Sequence, residues 1–189
     1  MGTVLLIALV LAVVILGGYL IGIYNQLVQV KVNVDKSWAN IEVLEKQRFD
    51  EIPKLVKVCE GYMQYERETL QKVIEARSRF LQAKGPADMA QASSDMAGAL
   101  KSLFALAEAY PDLKANQNFM QLQQRVSALE NEIADRREFY NESVTINNAR
   151  IQQVPYVFLA GFLSMTAREL YKVAAAEKAP PDIQFTQPR

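Results

Sequence analysis

Few residues in this chain are of a type that does chemistry, and their spacing does not assemble a reaction. Nucleophilic catalysis of the Ser-His-Asp or Cys-His kind needs an imidazole, and the 189 residues contain no histidine. Ser-Lys and carboxylate mechanisms survive that objection. Ser37 directly follows Lys36, but neighbours in a helix point to different faces. Cys59 is the single cysteine. It falls on the apolar stripe of an expected helix, where a buried, inert thiol is the simpler reading. One cysteine without histidine excludes an intrachain disulfide and nearly excludes a zinc site. Di-metal carboxylate bundles use Glu-x-x-His on two helices and are excluded in that form. Phosphate loops and dinucleotide fingerprints are absent too. No catalytic residue, metal ligand or cofactor is therefore expected. Arg136 and Arg137 lie amid Glu130, Glu132, Asp135 and Glu138, a grouping better read as a mutually neutralised surface than as an anion site.

Two polar or apolar features carry a functional alternative. Asn141 and Asn147 stand where bundle helices usually prefer stronger helix formers. They read either as polar devices that set helix register or as the lining of a ligand site. Residues 154–165 form an uncharged apolar run of twelve, including Tyr156, Phe158 and Phe162. The run is too short to cross a bilayer. Core packing is its plain explanation; contact with the membrane face or with a partner is the alternative.

The element that positions everything else is residues 4–24, twenty-one residues with no charge, Asn, Gln or Pro. As a helix the run is roughly 30 Å long, the thickness of a bilayer's hydrocarbon core. Its amino end, Met-Gly-Thr, has no basic side chain, and the run exceeds the apolar stretch of a signal peptide. A retained transmembrane anchor over residues 1–24 is the expectation. Gly18 and Gly22 make a GxxxG spacing suited to close packing of two such helices. Lys31 and Lys36 follow the run and no Lys or Arg precedes it. This bias favours a single-pass protein with its bundle in the cytoplasm and its amino terminus outside.

About 165 residues follow, enough for one domain that buries roughly 70% of its unfolded surface. Leu27, Val30, Val34, Trp38, Ile41 and Leu44 recur at helical spacing, and the stripe resumes from Ile52 to Leu81. Pro53 interrupts it and reads as a kink rather than a reversal, with Asp50 near enough to cap a restarted helix. Unbroken, residues 25–83 would form a rod of roughly 90 Å. Lys84-Gly85-Pro86 is a stop. The next helix, ended by Pro111, has a first half poor in large side chains, suited to a crowded or a mobile position. Asn116 is the expected N-cap of a helix reaching Ile151, Pro155 breaks it, and a last segment covers roughly residues 156–176. The domain thus reads as an all-α helical bundle over residues 25–176, with an extended or disordered tail at 177–189. Five acid-first i,i+4 pairs (Glu42/Lys46, Asp50/Lys54, Glu68/Lys72, Glu75/Arg79, Glu132/Arg136) fit solvated helix faces. With 21 basic and 21 acidic residues there is no basic stripe for nucleic acid.

Several segments also resemble the LemA family of bacterial membrane-anchored proteins. They are YNQLV at 24–28, Ser37 with WANIEVLEKQRFDEIPKLV at 38–56, Gly61-Tyr62 and Ala76-Arg77. The most specific is EAYPDLKANQNF at 108–119; the Glu130/Ile133/Arg137/Tyr140-Asn141 spacing and Ala160-Gly161-Phe162 follow. Gln47, Glu51, Lys54, Tyr65 and Val154 depart from the family pattern. The resemblance implies an all-α, antiparallel four-helix-type bundle behind one helix of the bacterial cytoplasmic membrane, and no established enzymatic activity. The leading expectation is a non-enzymatic interaction or scaffold protein whose partners are the lipid bilayer, other membrane proteins or further copies of itself. A membrane-tethered ligand-binding or sensory subunit is the alternative.

Overall fold

The computed structural model of the chain describes residues 1–172. Among these residues there are helices and no strands: α1 (Gly2–Glu60), α2 (Arg67–Gln82), α3 (Gly85–Ala107), α4 (Pro111–Lys114), α5 (Gln117–Arg150) and α6 (Tyr156–Phe162). The all-α expectation holds. The residues divide into two compact units. One comprises Met1–Gln47 with Asn131–Leu170; the other comprises Arg48–Glu130 with Tyr171 and Lys172. Both α1 and α5 contribute residues to each. The expected tail at 177–189 lies outside the described residues.

In the unit around Arg48–Glu130, helix periodicity is converted into a core. Ile52, Leu55, Val56 and Cys59 of α1 meet Leu70, Val73 and Ala76 of α2, Met96, Leu100 and Leu103 of α3, Leu113 of α4, and Phe119 and Val126 of α5. Helix α1 continues through Pro53, so the proline neither reverses nor restarts the helix, and Asp50 lies inside α1 instead of capping a new one. A proline in a helix interior costs about 3 kcal/mol, a loss that four buried apolar neighbours on the same turns outweigh.

The reversal falls ten residues later than the proline. Helix α1 ends at Glu60, and the amides of Tyr62 and Met63 both donate to the Cys59 carbonyl, at 3.0 and 2.8 Å. The stripe expected to run on to Leu81 as one helix is therefore two helices. Periodicity did not reveal the turn because Met63 points into the core from within it and is fully buried. The expected stop at Lys84-Gly85-Pro86 is present, with Gly85 in the left-handed region at φ +79°. The alanine-rich start of α3 is crowded: Ala90, Ala92 and Ser93 are all buried. Asn116 caps α5 as expected, its Oδ1 accepting from the amides of Asn118 and Phe119 at 2.9 and 3.1 Å.

In the unit around Met1–Gln47, α5 runs antiparallel to α1. Ser37 and Ser143 share a hydrogen bond at 3.1 Å, the Trp38 and Tyr140 rings lie 5.3 Å apart, and Arg137 reaches Glu45 at 3.4 Å. After α5 a cis Val154–Pro155 bond precedes α6. Of the last segment expected over roughly 156–176, residues 173–176 lie outside the described residues, and the described part is helical only as far as Phe162. Past it Ser164 takes φ 51° and the described chain is not helical. Its backbone finds partners on α5 instead. Asn148 donates to the Arg168 carbonyl and accepts from the Arg168 amide, each at 2.8 Å, and Tyr140 Oη donates to the Glu169 carbonyl at 3.0 Å. These bonds satisfy groups that a continued helix would have used internally.

Candidate functional site

The polar residues of the sequence segments that looked distinctive are for the most part bonded to one another. Beside the reversal of the Arg48–Glu130 unit, Asn116 donates to Tyr62 Oη at 3.0 Å, and Tyr110 Oη donates to Glu66 at 3.0 Å. That bond to the Glu66 carboxylate raises the Tyr110 pKa above its ordinary value. Deeper in the same unit Arg48, almost wholly buried, reaches Glu130 Oε1 at 2.5 Å and Ser93 Oγ at 2.6 Å. Arg77 stacks 3.8 Å over the Phe49 ring. Sequence reasoning missed the Arg48–Glu130 pair. A usable signal was there: Glu45 and Arg48 occupy helical-stripe positions between Ile41 and Ile52, where charge has to be paired.

The residues weighed for chemistry are engaged in structural contacts. Ser37 donates to the Asn33 carbonyl one turn back, away from its neighbour Lys36. Cys59 is fully buried, and burial pushes its thiol up to about 12, so the nucleophilic thiolate is not formed near neutrality. Arg136 pairs with Glu132 on the surface, as the neutralised reading expects, whereas Arg137 turns inward to the buried Glu45 of α1. Among the five acid-first pairs, Glu68–Lys72 also forms, at 2.7 Å, and its hydrogen bond lowers the Glu68 pKa. Lys54 turns instead to Glu51 and Arg79 to Asp95 on α3. Among the described residues no three His, Cys, Asp or Glu side chains converge as a metal site.

Asn141 is half-buried, and Asn147 is 2% exposed with its Nδ2 donating to Asn148 Oδ1 at 3.1 Å. Its neighbour Asn148 clamps the Arg168 backbone. The cleft of about 400 Å³ between the end of α1 and α2 is lined by Glu60, Met63, Gln64, Arg67, Leu70, Gln71 and Ile74, and it includes neither asparagine.

The membrane-facing candidates come together differently. Residues 4–24 lie within α1, which is long and apolar enough to cross a membrane; none of residues 4–21 is buried, and Ile23 is the buried residue of the run. A Cβ on Gly18 or Gly22 would meet nothing within 4 Å. Directly at the end of the apolar run, Ile23 and Leu27 are buried against Ala160 of α6, with Tyr156, Leu159 and Leu163 around them. Gln26 on the same turn accepts from Arg150 at 3.0 Å and from Tyr156 Oη, and the Arg150 guanidinium lies 4.7 Å over the Tyr156 ring. Phe158 and Phe162 point away from this contact, 72% and 89% exposed. Of the three aromatic candidates, Tyr156 thus belongs to the packed polar corner and the two phenylalanines to open surface.

A curated relative, Protein LemA of Metamycoplasma hominis, is 28% identical over 158 residues, covering 82% of this chain and 68% of its own. The sequence model of the LemA family matches residues 37–185, beginning at Ser37, whose hydroxyl joins α1 to α5. Reaching across most of the chain beyond its apolar start, that match establishes that the protein belongs to the LemA family.

Proposed function

We propose that this chain is a non-enzymatic, membrane-anchored interaction or scaffold protein of the bacterial cytoplasmic membrane, with its helices beyond residue 24 in the cytoplasm. The observation that carries the reading is the composition of α1. One uninterrupted helix holds an uncovered apolar run at its start and supplies core residues to both packed units further on. Such a helix confines what it carries to the membrane plane, which raises the effective concentration for neighbours without any new contact. Lys31 and Lys36 after the run favour the cytoplasmic side. The open strip at Gly18 and Gly22 suits close approach of a second membrane helix, from another copy or another protein. The buried polar residues are bonded within the chain, which supports a structural use for them.

The test is photo-crosslinking in intact membranes from a reactive residue placed beside Gly18, followed by identification of the adducts. Defined adducts that are lost in the Gly18→Leu/Gly22→Leu variant are expected. Adducts indifferent to that change, or turnover of a substrate by the purified chain, would contradict the proposal.

A further inference from the structure

The geometry of the first unit points to a second membrane contact: we infer that α6 lies in the lipid headgroup and upper acyl layer, with Phe158 and Phe162 inserted into the bilayer beside the anchor. Three observations converge. Ala160 of α6 buries Ile23, and Ile23 is itself within the uncharged run at 4–24, so α6 is held at the level where that run leaves the membrane. Phe158 and Phe162, one helical turn apart, share the face opposite this contact and are the most exposed large apolar side chains of α6. No charge occurs from residue 151 to 167, and the stretch is bounded by Arg150 and Arg168.

A short apolar element pinned to the end of a membrane helix has lipid as its nearest apolar medium. Aromatic side chains gain there by leaving water, and flanking arginines reach the headgroups. Gln26, Arg150 and Tyr156 form a hydrogen-bonded polar corner on the same turn as Leu27, the composition expected at an interface where one side is apolar and the other wet. A protein partner would fit the two phenylalanines equally well by apolarity alone. Their fixed position against the end of the apolar run is what selects the bilayer. The inference rests on the anchoring proposed above.

The test uses the full chain in lipid nanodiscs with an NBD probe on Phe158→Cys, Phe162→Cys or, as a control, Phe139→Cys. Native Cys59 is fully buried, and its failure to label is checked on the unmodified chain. Phe139 is 51% exposed and neighbours Tyr140, which packs on Trp38, roughly 20 Å of helix beyond the apolar run. All three side chains are exposed, so the replacements disturb little packing, and far-UV circular dichroism confirms retained helicity. Expected for probes at 158 and 162 are blue-shifted emission, loss of iodide quenching, and quenching by lipids with a nitroxide high on the acyl chain, a depth of about 5–10 Å. The probe at 139 should remain open to iodide. Probes at 158 and 162 as accessible to iodide as that at 139 would overturn the inference. So would protection that appears only when other membrane proteins are added, which would assign the face to a protein partner. A chain that fails to enter nanodiscs at all would overturn this inference together with the anchor, and is distinguished by its absence from the disc fraction.

Discussion

Replacing Arg48 by methionine tests whether the buried polar network is a structural clamp. The side chain is 2% exposed and its guanidinium bonds both Glu130 and Ser93. Removing one partner of a fully buried ion pair costs roughly 3–5 kcal/mol, because the other charge is left unpaired. Glu130 is not fully buried; its side chain keeps 25% of its exposure and some access to water, which lowers the cost. Loss of the Ser93 bond adds about 1 kcal/mol. The balance is near 3 kcal/mol, worth a fall in Tm of roughly 6–12 °C for a chain of this size. The assay is thermal unfolding of the full chain in detergent, followed at 222 nm. The double variant Arg48→Met/Glu130→Met should recover most of the loss, since replacing both members of a buried pair by apolar groups is often close to neutral. A fall in Tm under about 3 °C for the single variant, or a double variant no more stable than the single, would refute the reasoning.

Four further outcomes are expected. Cys59 should resist iodoacetamide at pH 8 in the folded protein and react once denaturant is added; labelling of the native chain would show that the thiol is not buried. Because burial raises the folded-state pKa of Cys59 to about 12, the contribution of its neutral form to stability is complete below about pH 9, the region of the unfolded thiol. It is lost as pH rises towards 12, and the alkaline decline in stability, measured by denaturant titration, should be smaller in Cys59→Ala. Pro53→Ala should raise stability by about 1–3 kcal/mol, since an exposed proline within α1 is replaced by a residue that restores a helix bond; a lower Tm would contradict the continuous helix. Asn148→Ala should cost about 1–2 kcal/mol and open the chain around Arg168 to protease and to hydrogen exchange. Unchanged exchange there would show that the amide clamp is not what holds this segment.

The features that sequence made legible are those whose physics is local. The uncharged run at 4–24, the Asn116 cap and the Gly85-Pro86 stop depend on residues within one or two turns, and all three are found as expected. The features that escaped are set by contacts distant in sequence. The turn after Glu60 stayed hidden because Met63 keeps the apolar phase while standing outside a helix. The end of α6 at Phe162 was invisible in an evenly apolar run; it depends on Asn148 and Tyr140, some twenty to thirty residues earlier, capturing the backbone of Arg168 and Glu169. Glu45 and Arg48 fall at apolar-stripe positions, and only the partners Arg137 and Glu130 explain them. The candidate site followed the same division: apolarity at Phe158 and Phe162 was readable in sequence, whereas their attachment beside Ile23 required the fold.

The role proposed for this LemA-family chain depends first on α1 remaining in the bilayer. Alkaline carbonate washing of membranes from cells producing the full chain, followed by detergent extraction, measures this directly. The expected result is a chain of undiminished length that stays with the pellet through the carbonate wash and is released only by detergent. Recovery in the wash, or of a shortened chain lacking residues 1–24 in the soluble fraction, would contradict it.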